Sequence, residues 1–427
     1  MTGICAAEQV FVSYLLDRVA DRWEINMKYA VILCDGMSDY KLPELNNKTP
    51  LEASKKPNMD YMAKNGEIGL LKTVADGLSP GSDVANLSVL GYDPFKFYDG
   101  RSPIEAASIG IDFSKDDVAT RCNFVTLSDE AKYHEKTMVD YCADDISTKE
   151  ADELIKYINC KLGNEIFSFY TGVSYRHCLI WKNGPDKIGK LTPPHDITGK
   201  KISDHLPQCP EFLSLMERSY ELLKNHPVNI ERIKNGLRPA NSIWLWGSGR
   251  KKELTQFYAK FNLRGSVISA VDLVKGIGKL AGMNVVDVEG ATGYIDTNFS
   301  GKAAAALKEF ENGQDFVYIH IEAPDECGHR HEIENKVKAI ELIDELVIAP
   351  VLDGLKKMGD FRVMILPDHA TPLMLRTHVS DPVPYILYDS REKDKSGCES
   401  FCEQSAKDSS VYYDIGYKHI ERLLEKK

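Results

Sequence analysis

The 427-residue chain has no CxxC pair among its 10 cysteines, no Walker A sequence and no apolar run long enough to cross a bilayer. Each absence removes a class of protein. Scattered single cysteines, several of them inside apolar runs, behave as small hydrophobes and fit a reducing, cytoplasmic home better than a disulfide-stapled exported domain. Without a Walker A loop, a P-loop nucleotide mechanism has no phosphate cradle. Apolar stretches such as Tyr29–Cys34 and Arg362–Leu366 are strand-sized, whereas a membrane helix needs roughly 20 residues. Gly at 30 and Pro at 19 are too few for a collagen-like or low-complexity chain. Positive charge is also short. Lys and Arg number 53 against 64 Asp and Glu, a formal charge of −11, which disfavours nucleic acid and anionic membranes and leaves a small molecule as the expected partner. Asp17, Arg18, Asp21 and Arg22 interrupt the N-terminal segment early, unlike the apolar centre of a signal peptide.

What is present is strand and helix patterning on a scale of two to three domains. Residues 1–26 carry apolar positions at helical spacing and read as an extension. A buried strand then runs from Met27 into Asp35-Gly36, followed by further strands at Asn241–Trp246, Gly265–Ala270, Asn284–Val288, Phe316–Ile321, Arg362–Leu366 and Pro384–Leu387. Helical stretches such as Ala303–Asn312 and Ile333–Asp353 alternate with them, which predicts an α/β domain with a mostly parallel sheet. Between residues 112 and 238 the strands shorten, at Arg121–Leu127, Ser168–Thr171 and Tyr175–Trp181, and a helix is expected over Glu211–Asn225. The expectation is a discontinuous catalytic domain over 27–111 and 239–427, with a smaller α+β domain inserted at 112–238.

Residues that could carry chemistry follow the predicted strands: Asp35, then Asp325 and His329, then Asp368 and His369, then His378. Asp and His are metal-ligand types, and ligands collect at the carboxyl ends of parallel strands. Asp325 and His329 lie four apart, on one face if that segment is helical. Any one of them alone is explained as a turn former, a cap or a packed core residue; their convergence on several strand ends is not. Ser82, in Ser79-Pro80-Gly81-Ser82-Asp83, opens a helix and is either its N-cap or a nucleophile.

Five motifs in this order, Asp35-Gly36-Met37-Ser38-Asp39, Pro80-Gly81-Ser82-Asp83 running on to Gly91-Tyr92-Asp93-Pro94, Gly290 to Asn298, Pro324-Asp325-Glu326-Cys327-Gly328-His329, and Asp368-His369-Ala370-Thr371-Pro372 with His378, closely resemble those of the archaeal-type, cofactor-independent phosphoglycerate mutases of the alkaline phosphatase superfamily. The resemblance runs from Met27 almost to the C-terminus. It implies an alkaline-phosphatase-like core and two divalent ions, one on Asp325, His329 and His378 and one on Asp35, Ser82, Asp368 and His369. Manganese, magnesium, cobalt and zinc all suit such ligands. It further implies that Ser82 takes the phosphoryl group and returns it, interconverting 3-phosphoglycerate and 2-phosphoglycerate, a glycolytic and gluconeogenic step, without bisphosphoglycerate. A mutase must also hold the free glycerate, and Arg101, Arg121, Arg176, His177, His195 with Asp196, and Arg238 are the expected grip, since Arg binds carboxylate and phosphate bidentately. The rival expectations are a metal-dependent phosphomonoester hydrolase or another phosphomutase on the same core, and a non-catalytic binding protein.

Overall fold

The computed structural model describes residues 27–392 and 395–425; the expected extension over residues 1–26 lies outside them. The chain forms two compact units, one of residues up to Gly91 with Phe257–Val271 and Met283 onward, the other of Tyr92–Gln256 with Asp272–Gly282.

The first unit is built on an eight-stranded sheet. Lys28–Cys34 is central, paired in parallel with Phe316–Ile321 on one side and Phe361–Leu366 on the other. Gly265–Ile268 and Asn284–Val286 continue the parallel run beyond Phe316–Ile321. Beyond Phe361–Leu366 come Val383–Asp389 and Glu67–Leu71, each antiparallel to its inner neighbour, and Tyr412–Tyr413 at the edge. The three central strands are buried almost throughout, which is why they read as continuous apolar runs. One face packs Ile32, Ile319 and Ile365 against Ala303, Ala306 and Phe310 of the helix Phe299–Glu311 and Ile340 and Ile343 of Ile333–Ile343. The helix expected over Ile333–Asp353 is interrupted by a π-helical turn at Asp344–Ile348. Pro350 has no N–H to give Leu346, so the ladder widens there.

The second unit has a five-stranded antiparallel sheet centred on Val118–Leu127, which pairs with Arg176–Trp181, Met138–Asp140 and Ser242–Arg250; Phe167–Val173 lies outside Arg176–Trp181. The helices Thr148–Leu162 and Pro210–Leu223 supply Leu154, Ile158, Phe212 and Met216 to a core shared with Phe124, Leu179 and Trp244. Thr148–Leu162 starts on a capping box between Ser147 and Glu150, a device that contributes about 1 kcal/mol. The strand expected at Asn241–Trp246 therefore belongs to this sheet rather than to the parallel one, and the unit reaches beyond 112–238 at both ends. The helix Asp272–Leu280 also belongs to it: a Cβ on Gly276 would stand 2.1 Å from the Ile104 carbonyl oxygen, so glycine permits that close approach to the helix Ser102–Ser108.

Candidate active site

Every Asp and His singled out after a strand comes together at the carboxyl edge of the parallel sheet. Lys28–Cys34 exits into Asp35 and Gly36. Gly36 has φ +62°, and a Cβ there would stand 2.6 Å from Asp325 Oδ1 and from Thr371 Oγ1, so only glycine allows this turn. Phe316–Ile321 feeds the helix Ala323–His329, whose first turn carries Asp325 and whose last residue is His329. Phe361–Leu366 leads to Asp368 and His369.

Two clusters result. In one, His329 Nε2 lies 3.3 Å from Asp325 Oδ2, His378 Nε2 lies 3.3 Å from Asp325 Oδ1, and the two ring nitrogens are 2.8 Å apart. In the other, Asp35, Asp368 and His320 present ligand atoms all within 4.8 Å of one another. His369 lies between them: its Nε2 is 3.6 Å from Asp35 Oδ1 and 3.5 Å from Asp368 Oδ2, and its ring stacks on His378 at 3.9 Å. The expected grouping of His369 with Asp35 and Asp368 is thus only half of its surroundings, because it groups equally well with Asp325 and His378.

Ser82 is the first residue of the helix Ser82–Val89, whose N-cap is Gly81. Its hydroxyl caps nothing and lies instead 3.1 Å from His369 Nε2. The preceding run Gly77-Leu78-Ser79-Pro80-Gly81 spells the G-x-S-x-G of hydrolase elbows, but it is irregular and its Ser79 is exposed.

The surrounding groups hold these side chains in place. Asp368 accepts from Gly36 N at 3.3 Å and His369 N at 2.9 Å through Oδ1, and from Asn86 Nδ2 at 3.0 Å through Oδ2; Asn86 in turn accepts the Tyr318 hydroxyl at 2.6 Å. His329 Nδ1 reaches the Arg376 carbonyl at 3.0 Å, which directs Nε2 toward Asp325. His331 Nδ1 reaches the Leu373 carbonyl at 2.7 Å and fastens the loop that leads to His378. The Thr371 hydroxyl donates to Asp325. Asn86 and Thr371 lie inside the sequence motifs but carried no expected role, and neither Tyr318 nor His320 stood out in the sequence. His320 sits inside an apolar strand where it reads as core.

Charge is costly here. Burial, then Asp368 and Asp325, push Asp35 well above the carboxylate range. Burial acts most on Asp325, but hydrogen bonds to His329 and His378 together with the nearby His369 and His378 outweigh it and hold that carboxyl well below the range. Burial with Asp325 and Glu326 nearby lifts Glu322 to about 8, the hydrogen bond to Asp325 lifts His329 to about 9, and burial lowers His369 and takes His320 down to about 3. Asp35 Oδ1 and His320 Nε2 are buried with no hydrogen-bond partner among the described residues. Buried polar atoms are normally paired. Converging imidazole nitrogens and carboxylates with such orphans fit divalent cations, and two clusters give two places for them.

In the second unit, Arg121 stacks on Trp246 at 4.3 Å and bonds Glu105 through Nε at 2.9 Å. Arg101 Nε lies 3.7 Å from the same Glu105, and the His195 ring meets Trp246 edge-on at 5.5 Å. His195 Nε2 is 3.5 Å from Asp196. Arg176 lies over Tyr175 at 5.5 Å. Two expectations change. His177 is 5% exposed, packs on Phe124, and accepts the Gly172 N–H through Nδ1, so it is a core histidine. Arg238 bonds Asp140 and Asp144 and is occupied in bracing that turn. Sequence reasoning missed Trp246 and Glu105, whose roles appear only when antiparallel pairing sets Trp246 opposite Arg121.

A serine at a helix start among buried Asp and His at the edge of a parallel sheet is the arrangement of an enzyme. Residues 63–229 match the family model described as 2,3-bisphosphoglycerate-independent phosphoglycerate mutase. The chain is 48% identical over 404 residues to a probable enzyme of that name from Geobacter sulfurreducens, covering 94% of this chain and 100% of that one. It is 49% identical over 389 residues to the Methanosarcina barkeri enzyme, covering 90% and 96%. Among solved structures, the cofactor-independent phosphoglycerate mutase of Thermoplasma acidophilum matches with a TM-score of 0.65 and 27% identity over 93% of this chain and 99% of that one. A Pyrococcus horikoshii protein matches with a TM-score of 0.78 and 29% identity over 94% and 98%. This chain belongs to the 2,3-bisphosphoglycerate-independent phosphoglycerate mutases, enzymes of the isomerase class.

Proposed function

We propose that this protein interconverts 3-phosphoglycerate and 2-phosphoglycerate, with Ser82 as the transient phosphoryl carrier. The observation that carries the assignment is the Ser82 hydroxyl, released from capping and held 3.1 Å from His369 Nε2 beside both Asp/His clusters. Asp325, His329 and His378 would hold one divalent cation, and Asp35, Asp368, His369 and Ser82 a second. Such cations lower the pKa of a hydroxyl and offset charge on phosphoryl oxygens.

Ser82 Oγ gives up its proton and forms a bond to phosphorus as the bond from phosphorus to the C3 oxygen breaks, and that oxygen takes up a proton in exchange. The glycerate then turns. Its C2 hydroxyl oxygen loses a proton and attacks the phosphorus, the bond from phosphorus to Ser82 Oγ breaks, and Oγ regains a proton. Nothing is consumed, so no bisphosphoglycerate is needed. Arg101 and Arg121 are the proposed grip on the anionic groups of the substrate, with Arg176 and His195 in support. Glu105 and Trp246 fix the plane of Arg121, and a guanidinium held in plane suits bidentate binding. We assign the enzyme to the cytoplasm; among the described residues no helix is long and apolar enough to cross a membrane.

The test is conversion of 3-phosphoglycerate by purified protein with manganese and no bisphosphoglycerate, before and after chelation, with free phosphate monitored. Chelator-sensitive isomerisation with little phosphate release is expected. Phosphate release without isomerisation would make it a hydrolase, and neither activity with any of the four metals would overturn the proposal.

A further inference from the structure

We infer that His320 is a ligand of the cation held by Asp35 and Asp368, an imidazole that completes this site from inside the sheet. The inference rests on the two-cation reading above and adds a ligand to it. His320 lies on the strand Phe316–Ile321 in register with Leu33, two residues before Asp35, and is completely buried. Its two ring nitrogens are in different situations. Nδ1 is 3.3 Å from Ser269 Oγ; that hydroxyl accepts the Val271 N–H at 2.9 Å and reaches the Val271 carbonyl at 3.5 Å. With its own hydrogen directed at Val271 O, Ser269 Oγ receives the Nδ1–H, and the lone pair is left on Nε2.

Nε2 is 3.1 Å from Asp35 Oδ2, yet it makes no hydrogen bond among the described residues, and neither does Asp35 Oδ1. Were Nε2–H donating to Asp35, the contact would have hydrogen-bond geometry and the nitrogen would not be orphaned. A lone pair beside two carboxylates is instead a ligand set, and the Asp35, Asp368 and His320 ligand atoms all lie within 4.8 Å of one another. A second nitrogen beside that of His369 also sets a preference, because imidazole suits zinc, cobalt and manganese better than magnesium.

The test uses zinc and two readouts besides turnover. In zinc-loaded wild-type protein labelled with [15N]histidine, four rings are expected to carry metal: His329, His369, His378 and His320, the last recognised by its loss in His320→Gln. Equilibrium dialysis is expected to give two zinc ions per chain in the wild type, with the second bound at least tenfold more weakly in His320→Gln. Glutamine can donate to Asp35 from about where Nε2 stands but is a poor ligand, so it separates ligation from positioning. Two ions held equally well by His320→Gln, or His320 Nε2 still protonated in the loaded wild type, would overturn the inference and leave the two-cation reading standing. A wild type that retains no zinc would overturn both. Should the variant not fold, the wild-type spectrum still decides, with four metallated rings supporting ligation and three refuting it.

Discussion

Replacing Lys336 with Met is expected to destabilise the first unit by about 3–5 kcal/mol, the usual cost of removing one partner of a buried ion pair. Lys336 Nζ lies 2.6 Å from Asp39 Oδ2, and both side chains are 0% exposed. Asp39 also accepts the Leu373 N–H, at 3.2 and 3.1 Å, and Lys336 donates to the Thr371 carbonyl at 2.8 Å. Met fills nearly the same volume, so little cavity forms and the loss is electrostatic. Asp39 is left charged, dry and served only by backbone donors. For a unit of this size the loss lowers the melting temperature by about 6–20 °C. Adding Asp39→Asn to Lys336→Met removes the stranded charge and is expected to recover most of the loss, because replacing both partners of a buried pair is often nearly neutral. Urea unfolding and calorimetry of the two single variants and the double variant measure the cycle. A Lys336→Met protein within about 1 kcal/mol of wild type, or a double variant no more stable than the single, would refute the reasoning.

Ser82→Ala is expected to reduce mutase turnover by about 10³-fold or more while unfolding stability stays within about 0.5 kcal/mol, since among the described residues its hydroxyl bonds only His369; coupled assay and thermal melt together check both halves. Arg121→Lys loses the bond to Glu105 and the stack on Trp246, and steady-state kinetics should show kcat/KM down about tenfold or more, mostly through KM. His419 is buried between Tyr385 and Tyr413, and burial takes its pKa down to about 3. It is neutral when folded but protonates below about 6.5 when unfolded. Its contribution is therefore full above pH 6.5 and is lost at about 1.4 kcal/mol per unit as pH falls toward 3. His419→Phe should flatten the stability-versus-pH curve between pH 6.5 and 4.5, and an unchanged slope in urea melts would count against the buried neutral ring.

The central strands were legible because burial on both faces leaves a run of apolar residues, and the Asp and His at their ends stand out against that run. Sheet membership was not legible. Asn241–Trp246 is as apolar as a parallel core strand, and only its register with Val118–Leu127 shows that it is antiparallel and in the other unit. Local pattern failed for a related reason at His177 and His320. Both lie in buried strands, one as a packed core ring and one facing Asp35, and no feature of Arg176–Trp181 or Phe316–Ile321 distinguishes the two. Asp39 closes the Asp35–Asp39 motif, but its partner Lys336 lies 297 residues away in sequence. Ser82 was ambiguous between cap and nucleophile until Gly81 proved to be the N-cap.

Ion-paired carboxylates of the first unit differ in where their countercharge comes from, and the difference bears on stability. Asp39 is neutralised by Lys336, Asp389 by Arg362 at 2.7 Å and Arg391 at 2.8 Å, and Glu67 by Arg422 at 2.8 Å. Their countercharge is part of the chain. Asp35, Asp325 and Asp368 have histidines in those positions instead. An imidazole brings a lone pair as readily as a proton, so on the two-cation reading proposed above these three carboxylates would take a countercharge from solution. The folded unit would then gain stability by mass action, about 2.7 kcal/mol for each site when free cation is at 100 times its Kd. Chelation is expected to lower the melting temperature of the first unit while that of the second, which carries none of these residues, stays within error. Calorimetry resolving two transitions, with and without manganese, reads this directly. Equal melting of the first unit in both conditions would show that the histidines neutralise these carboxylates by protonation.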